Sequence, residues 1–344
     1  MNFSFILLFF FTPFNKRYNK NILYNIYKLY MTNIIENQLK SLTNTYSKFS
    51  TWGKVLFFAA LLIICIMLMS SFNKMKEGFE QSDKFLFKSG NDIYDDFYAD
   101  IYDYLVFSNQ KDEYGVGEII NKTSPTSQSR ILDVGSGTGH HVATLASQGF
   151  DVIGMDLSPS MVEKAKKEFP KYKFQVGDAT NSGEFGPNSF THIMCMYFTI
   201  YYIQDKIHFF QNAMKWLKPG GYLILHLVDR DKFDPILPPG NPLLYISPQR
   251  YAPERITSTK VKFNDFSYSA DFKLNQGTNI ANFEEKFKND SDGKVRKNEH
   301  IMYMPKLENI VADAQQQGFI LDSKVDLLNI QYEYQYLYIF IKPE

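Results

Sequence analysis

The stretch Ile131–Gly139, ILDVGSGTG, constrains the fold more than any other part of the chain. An apolar run that ends in an acid reads as a buried parallel strand, and glycine at positions 135, 137 and 139 reads as a tight strand-to-helix turn. Only glycine lets a backbone visit positive φ while passing this close to a ligand. The dinucleotide fingerprint GxGxxG needs glycine at position 140. His140 stands there, so the pyrophosphate-binding form of the loop fails on spacing.

From this strand onward, strands and helices alternate in the rhythm of an α/β, doubly wound parallel sheet. Strands are expected at Arg130–Val134, Asp151–Met155, Tyr172–Val176, Phe190–Met196 and Gly221–Val228, with helices near 138–148, 158–168 and 205–217. Ahead of them, Tyr94–Phe107 has helical spacing, with Tyr94, Tyr98, Ile101, Tyr102 and Leu105 on one face. Asn121–Ser129 reads as a loop. Residues 229–304 break the rhythm with FDPILPPGNP, YISPQRYAP and short alternating runs, which predicts a strand-rich insertion. A helix at Leu307–Gln317 and strands at Phe319–Asp326 and Tyr334–Ile341 follow.

The N-terminal third is of another kind. Val55–Met69 holds fifteen uninterrupted apolar residues. With Trp52 at one end and Ser70–Phe72 at the other, it approaches the roughly 20 residues that span a bilayer. A membrane helix is expected over 52–72, flanked by Lys54, Lys74 and Lys76, with a polar linker at 73–92 and the main folded domain at 93–344. Residues 1–51 form an N-terminal segment, of which 1–30 read as an over-extended start. The formal net charge is zero and the 37 basic residues are scattered, so nothing points to nucleic acid. Two cysteines allow no disulfide framework, and six histidines show no metal-ligand spacing.

Four positions carry chemistry. Asp156 ends the second strand, where an acid can accept both hydroxyls of a ribose or can cap the helix that starts at Ser158–Pro159. Leu157 and Met161 would form an apolar shelf for an adenine. Asp178 and the amide of Ala179, in VGDAT, sit where an adenine edge would be read. Leu217–Gly221, LKPGG, closes a helix with a turn and opens the strand YLILHLVD.

Taken in order and spacing, LDVGSGTG, GMDLS, GDAT and LKPGGYLIL resemble the class I S-adenosylmethionine-dependent methyltransferases over about residues 92–344. The segment YFTIYY, HLVDRDKFDPILP and the Asn-, Lys-, Ile- and Tyr-rich composition further resemble methyltransferases of large DNA viruses, a likeness that adds no substrate. The resemblance implies a Rossmann-like, seven-stranded sheet whose last strand runs antiparallel between the fifth and sixth. It implies S-adenosyl-L-methionine as cofactor, held by Asp133, Gly135, Gly137, Gly139, Asp156, Leu157, Met161, Asp178 and Ala179. The backbone at Cys195 would hold the methionine end, and Tyr98 and Tyr102 would close over the cofactor from the N-terminal helix. The chain departs from the family at Phe190-Thr191-His192, where many relatives have an acid near the strand start. A structural effect is expected from that loss.

Substrate-side candidates are Tyr197, Tyr201 and His226. Tyr197 and Tyr201 would share a face if their segment is helical, or else are core aromatics in a chain with 23 tyrosines and 31 phenylalanines. His226 and His192 are the nearest general-base candidates, weighed against satisfied core histidines of a strand, while His140 and His141 begin the glycine-loop helix. The run Arg296–His300 reads as a solvated surface of the insertion. The acceptor stays open between small molecule, lipid and protein. The rival functions are a non-catalytic membrane scaffold that keeps the fold, or a nucleotide-cofactor oxidoreductase. The catalytic domain is expected on the cytosolic side, where its cofactor is made.

Overall fold

The computed structural model describes residues 49–50, 52–54, 57, 84–237, 249 and 252–344. Apart from 52–54 and 57, the expected membrane segment 52–72 lies outside the described residues, as does the linker up to residue 83. Among the described residues, no helix is long and apolar enough to cross a membrane. Residues 1–76 and 77–344 are separate units. In the first, residues 52–54 are helical and Gly53 N donates to Ser50 Oγ at 3.2 Å. Every element below belongs to the second.

That unit opens with strand β1 (Phe85–Ser89), inside the stretch read as a linker. Helix α1 (Asp96–Val106) follows, capped by Asp95, whose Oδ1 accepts from Tyr98 N at 3.1 Å. Helix α2 (Asn109–Thr123) comes next and overlaps the start of the expected loop. Then come β2 (Arg130–Val134), α3 (His140–Ser147), β3 (Asp151–Asp156), α4 (Pro159–Glu168), β4 (Lys173–Val176) and β5 (Phe190–Cys195). A single turn, α5 (Thr199–Tyr202), leads to α6 (Lys206–Trp216) and β6 (Leu217–Val228).

The insertion forms β7 (Ser258–Lys262), β8 (Phe266–Asn275), β9 (Ile280–Asn289) and β10 (Val295–Tyr303). The chain ends with α7 (Leu307–Gln316), β11 (Ile320–Asp326) and β12 (Gln335–Ile341).

Seven strands form one sheet in the order β11-β12-β6-β5-β2-β3-β4. The strands from β6 to β4 run parallel, and β12 is antiparallel to both β6 and β11. The last strand therefore sits where the resemblance places it. Strand β2 lies between β3 and β5, so the winding direction reverses beside it. Open α/β sheets bind ligands at such a switch point, beyond the carboxyl ends of the strands. LKPGG does more than close α6: it is the bulged start of β6, where Gly220 N donates to Lys342 O and Lys342 N to Gly221 O. Thr191, in the place of the family's acid, accepts from Arg130 N at 3.0 Å and donates to Arg130 O at 3.1 Å, which ties β5 to β2.

A second sheet has the order β1-β10-β9-β8-β7, with β1 parallel to β10 and the rest antiparallel. Its inward face alternates as a half-buried sheet must: Phe266, Tyr268, Ala270 and Phe272 on β8, and Ala281, Phe283, Glu285 and Phe287 on β9. On β10 the inward residues are Arg296, Asn298, His300 and Met302, all buried. The run 296–300 is thus no solvated surface; only Lys297 and Glu299 face away.

Arg296 binds this sheet to α1. Its Nη1 lies 2.9 Å from both Asp95 carboxylate oxygens, its Nη2 donates to Ile93 O at 2.8 Å, and its Nε donates to Asn298 Oδ1 at 2.8 Å. Removing Asp95 leaves a buried guanidinium short of its anion and uncaps α1. Asp95→Ala is expected to lower the unfolding free energy by about 2–3 kcal/mol in denaturant titrations, and Asp95→Asn, which keeps the cap, by less. Equal losses would show that the ion pair with Arg296 carries the effect alone and the cap none of it.

Candidate active site

A cavity of about 700 Å³ opens at the switch point between β2 and β5. Its floor is the glycine loop. Gly135 and Gly137 both have positive φ, at 68° and 53°. A side chain at 135 would begin 2.4 Å from Thr199 Cγ2, whereas one at 137 would meet only the Tyr102 ring, in ordinary contact at 3.6 Å. Glycine at 137 therefore keeps the cavity clear. Gly139 serves packing instead, since a Cβ there would lie 2.7 Å from the Phe174 ring.

Asp156 holds the loop in shape. Its Oδ2 accepts from Gly137 N at 2.8 Å and its Oδ1 from Ser158 N at 2.9 Å. The helix cap itself is Ser158, whose Oγ accepts from Met161 N. Asp156 is thus released from capping and faces the cavity with lone pairs to spare. Burial raises its pKa, and the amides of Ser158, Gly137 and Leu157 oppose that rise.

Leu157 lies half exposed on the rim, above the buried Met161. Asp178 and Ala179 line the same end. Asp178 Oδ1 accepts from Thr180 N and Oγ1, at 2.8 and 2.7 Å, and Asp178 N donates to Glu184 Oε1 at 3.2 Å. Glu184, which spacing did not single out, thereby shapes the loop.

One wall is a row of tyrosines. Tyr94, Tyr98 and Tyr102 come from α1 and its approach, and Tyr202 from α5. Their centroids lie 5.5 Å (94–98), 6.0 Å (98–102) and 6.0 Å (94–202) apart, with edge-on contacts. The insertion and the segment after β6 add Phe233, Ile236, Leu237, Phe272, Phe283 and Met302 to the lining.

Several expected site residues do not reach the cavity. Tyr201 is fully buried, and its hydroxyl accepts from Val228 N at 2.8 Å, so it fastens α5 to β6. Tyr197 and Tyr201 share no helical face: Tyr197 precedes the single turn of α5 and has φ of 49°. Cys195 is fully buried in β5; Tyr197, Phe198 and Thr199 just after it are the residues that line the cavity. Asp133 is also buried beneath the floor, with neither carboxylate oxygen hydrogen-bonded, and burial pushes its pKa well up, helped by Asp112 and Asp156.

His226 lines a separate void of about 10 Å³ beside His141 and Met196, and burial drives its pKa well down. His192 stacks on Tyr222, away from the cavity. His140 Nε2 lies 3.0 Å from Asp103 Oδ2, and Thr138 Oγ1 donates to Asp103 Oδ1 at 2.6 Å, so Asp103 ties α1 to the glycine loop.

A profile described as a methyltransferase domain matches residues 131–221. Over these residues the chain is similar to methyltransferase domains. It is 30% identical over 146 residues to dTDP-4-amino-2,3,4,6-tetradeoxy-D-glucose N,N-dimethyltransferase of Saccharopolyspora spinosa, covering 40% of this chain and 57% of that protein. It is 36% identical over 113 residues to phosphoethanolamine N-methyltransferase 1 of Triticum aestivum, covering 31% and 22%. The chain thus spans from about a fifth to just over half the length of these relatives.

Among solved structures, the CcbJ methyltransferase from Streptomyces caelestis superposes with a TM-score of 0.57 at 14% identity, covering 73% of this chain and 98% of that one. An S-adenosylmethionine-dependent methyltransferase from Clostridium acetobutylicum gives 0.55 at 18% identity, over 72% and 98%. At these identities the likeness is one of fold.

A buried lysine also lines the cavity. Lys111 Nζ lies 4.4 Å from the Tyr197 ring centroid, 4.2 Å from that of Tyr332 and 3.4 Å from Gln335 Oε1. Burial lowers its pKa to about 7. The unfolded chain holds that proton up to a pKa near 10.5, so stability rises with pH between about 7 and 10.5. Lys111→Met is expected to raise Tm most below pH 7, with the gain shrinking toward pH 10. A gain that does not change with pH would refute the depressed lysine.

Proposed function

We propose that this chain is an S-adenosyl-L-methionine-dependent methyltransferase acting on a small molecule with an apolar body. The observation that carries the reading is the open space above Gly137, bordered by the Asp156 carboxylate and walled by tyrosines. These residues fit a nucleoside joined to a cationic group. Asp156 would accept the ribose hydroxyls, Leu157 and Met161 would support the adenine, and Asp178 with the Ala179 amide would read its edge. The faces of Tyr98, Tyr102 and Tyr197 suit a cation.

When bound, S-adenosyl-L-methionine supplies an electrophilic methyl group on a sulfonium. The protein's part is to hold the two reactants at close range and to keep water out. Phe233, Phe272, Phe283 and Met302 would seat the apolar body of the acceptor. The relatives are named for an amino-sugar nucleotide, phosphoethanolamine and demethylmenaquinone, so they set no single acceptor. The intact cradle disfavours a scaffold without activity, and the absence of glycine at 140 disfavours a nicotinamide nucleotide.

Calorimetry with S-adenosylhomocysteine tests the reading. Binding is expected for the full chain, and Gly137→Arg, which fills the open space, is expected to weaken it at least 100-fold. Unchanged affinity in that variant would overturn the site, and preference for NAD would overturn the function.

The same protein is proposed to be anchored by residues 52–72 with its catalytic domain in the cytosol. The fifteen-residue apolar run and the exposed Trp52 support this. Asn121-Lys-Thr123 and Asn289-Asp-Ser291 match glycosylation acceptors. Expression in eukaryotic cells is expected to give a membrane-bound, glycan-free protein; glycan at either site would place the domain in the lumen.

A further inference from the structure

Glu285 is wholly buried in the middle of β9. Its Oε1 accepts from the Tyr268 hydroxyl at 2.8 Å, and its Oε2 accepts from Asn298 Nδ2 at 3.1 Å and His300 Nε2 at 2.8 Å. Burial alone would raise its pKa, but the neighbouring His300 ring and the hydrogen bonds from His300, Tyr268 and Asn298 hold it below the usual carboxylate value. An ionised carboxylate only accepts, so His300 carries a proton on Nε2. The other ring nitrogen, Nδ1, lies 3.0 Å from the Tyr202 hydroxyl. Tyr202 and His300 both line the 700 Å³ cavity. A chain of hydrogen bonds therefore runs from a buried anion to the cavity wall.

Packing alone does not require this arrangement. Buried ionic groups are seldom more stabilising than well-packed apolar residues of the same volume. The wall around His300 is otherwise aromatic, with Tyr94, Tyr98 and Phe283 centroids 5.6–6.0 Å from its ring. Burial raises the pKa of Tyr202, so its hydroxyl rests protonated and can shuttle a proton without storing charge.

We propose that Tyr202 is a catalytic residue that takes the proton of the methyl acceptor, with His300 and Glu285 as positioning residues that draw Tyr202's own proton away. The proposal rests on the methyltransferase reading and narrows it to acceptors with an O–H or N–H nucleophile. As the carbon–sulfur bond breaks, its electron pair stays on sulfur, and a lone pair of the acceptor forms the new bond to the methyl carbon. The acceptor's proton passes to the Tyr202 oxygen while the Tyr202 proton passes to His300 Nδ1. The products are the methylated acceptor, S-adenosylhomocysteine and a His300 imidazolium beside the Glu285 carboxylate. A proton positioned for transfer in this way typically contributes 10²–10⁴-fold in rate.

The titratable and charged groups nearest the relay are Tyr94, Tyr98, Tyr268 and the Arg296 cation on the strand of His300. The test uses the full chain with Tyr202→Phe, His300→Asn and Glu285→Gln. Calorimetry with S-adenosylhomocysteine is expected to give dissociation constants within about threefold of the parent. In ¹⁵N-histidine spectra, His300 is expected protonated on Nε2, and Tyr202→Phe is expected to shift its Nδ1 resonance.

Transfer of labelled methyl from S-adenosylmethionine into the small-molecule fraction of extract from the producing cells is expected to fall about 100-fold in Tyr202→Phe at pH 7. For a phenolic acceptor the deficit is expected to narrow toward pH 10, where that hydroxyl loses its proton unaided. Transfer at the parent rate, or a proton on Nδ1 of resting His300, would overturn the relay. Loss of S-adenosylhomocysteine binding in all three variants would also overturn it, by making them parts of the cofactor wall. A parent chain that binds S-adenosylhomocysteine but transfers no methyl group would instead overturn the methyltransferase reading itself.

Discussion

Helix α1 is pinned at both ends by a carboxylate, and the cavity depends on that double attachment. At its start, Asp95 accepts from the helix's own Tyr98 N and from the buried Arg296 of the second sheet. Near its end, Asp103 accepts from Thr138 and meets His140 beside the glycine loop. Tyr94, Tyr98 and Tyr102 recur every four residues along the same stretch and so form one continuous wall. If either end came loose, that wall would leave the nucleoside end and the insertion end together. The exposed Lys164–Asp100 pair, at 3.2 Å, contributes little beside these, because solvent screens it.

Burial pushes the pKa of each carboxylate here upward, and hydrogen bonds decide how far. Asp156 and Glu285 are desolvated but receive two and three hydrogen bonds respectively, which offset much of the cost of charge. Asp133 receives none, with His141 Nδ1 3.7 Å from its Oδ2, and its pKa goes well up. A cationic guest above the floor would favour the ionised form of all three. The same guest meets aromatic faces rather than water, so the acids and the tyrosine wall select charge of one sign.

Much of the seven-stranded sheet was legible because its central strands are uniformly apolar and end in acid or glycine, as in RILDV and VIGMD. The glycine loop and Asp156 were legible for the same reason: backbone geometry leaves few residue types free to vary. The inward face of β10 was not. Arg296, Asn298 and His300 are polar, and hydropathy assigns polar residues to solvent. Their period of two with Met302 was the signal that could have found them. Helix α2 was hidden because its buried face includes Lys111, Asp112 and Gly115 beside Val116 and Ile119. The pairing of Tyr197 with Tyr201 assumed a helical phase that the left-handed backbone at Tyr197 breaks.

The division between the two sheets also limits the acceptor's shape. The floor at Val134, Gly135 and Gly137 is largely backbone, so it tolerates little change without losing the nucleoside. The insertion presents side chains at strand spacing. Phe283 and Glu285 are successive inward residues on β9, His300 and Met302 are successive inward residues on β10, and His300 stands opposite Phe283 in register. Inward neighbours on a strand lie about 7 Å apart. Phe283 therefore stands beside His300 across the strands and Met302 one inward repeat along from it, spacings set by the sheet rather than by flexible side chains.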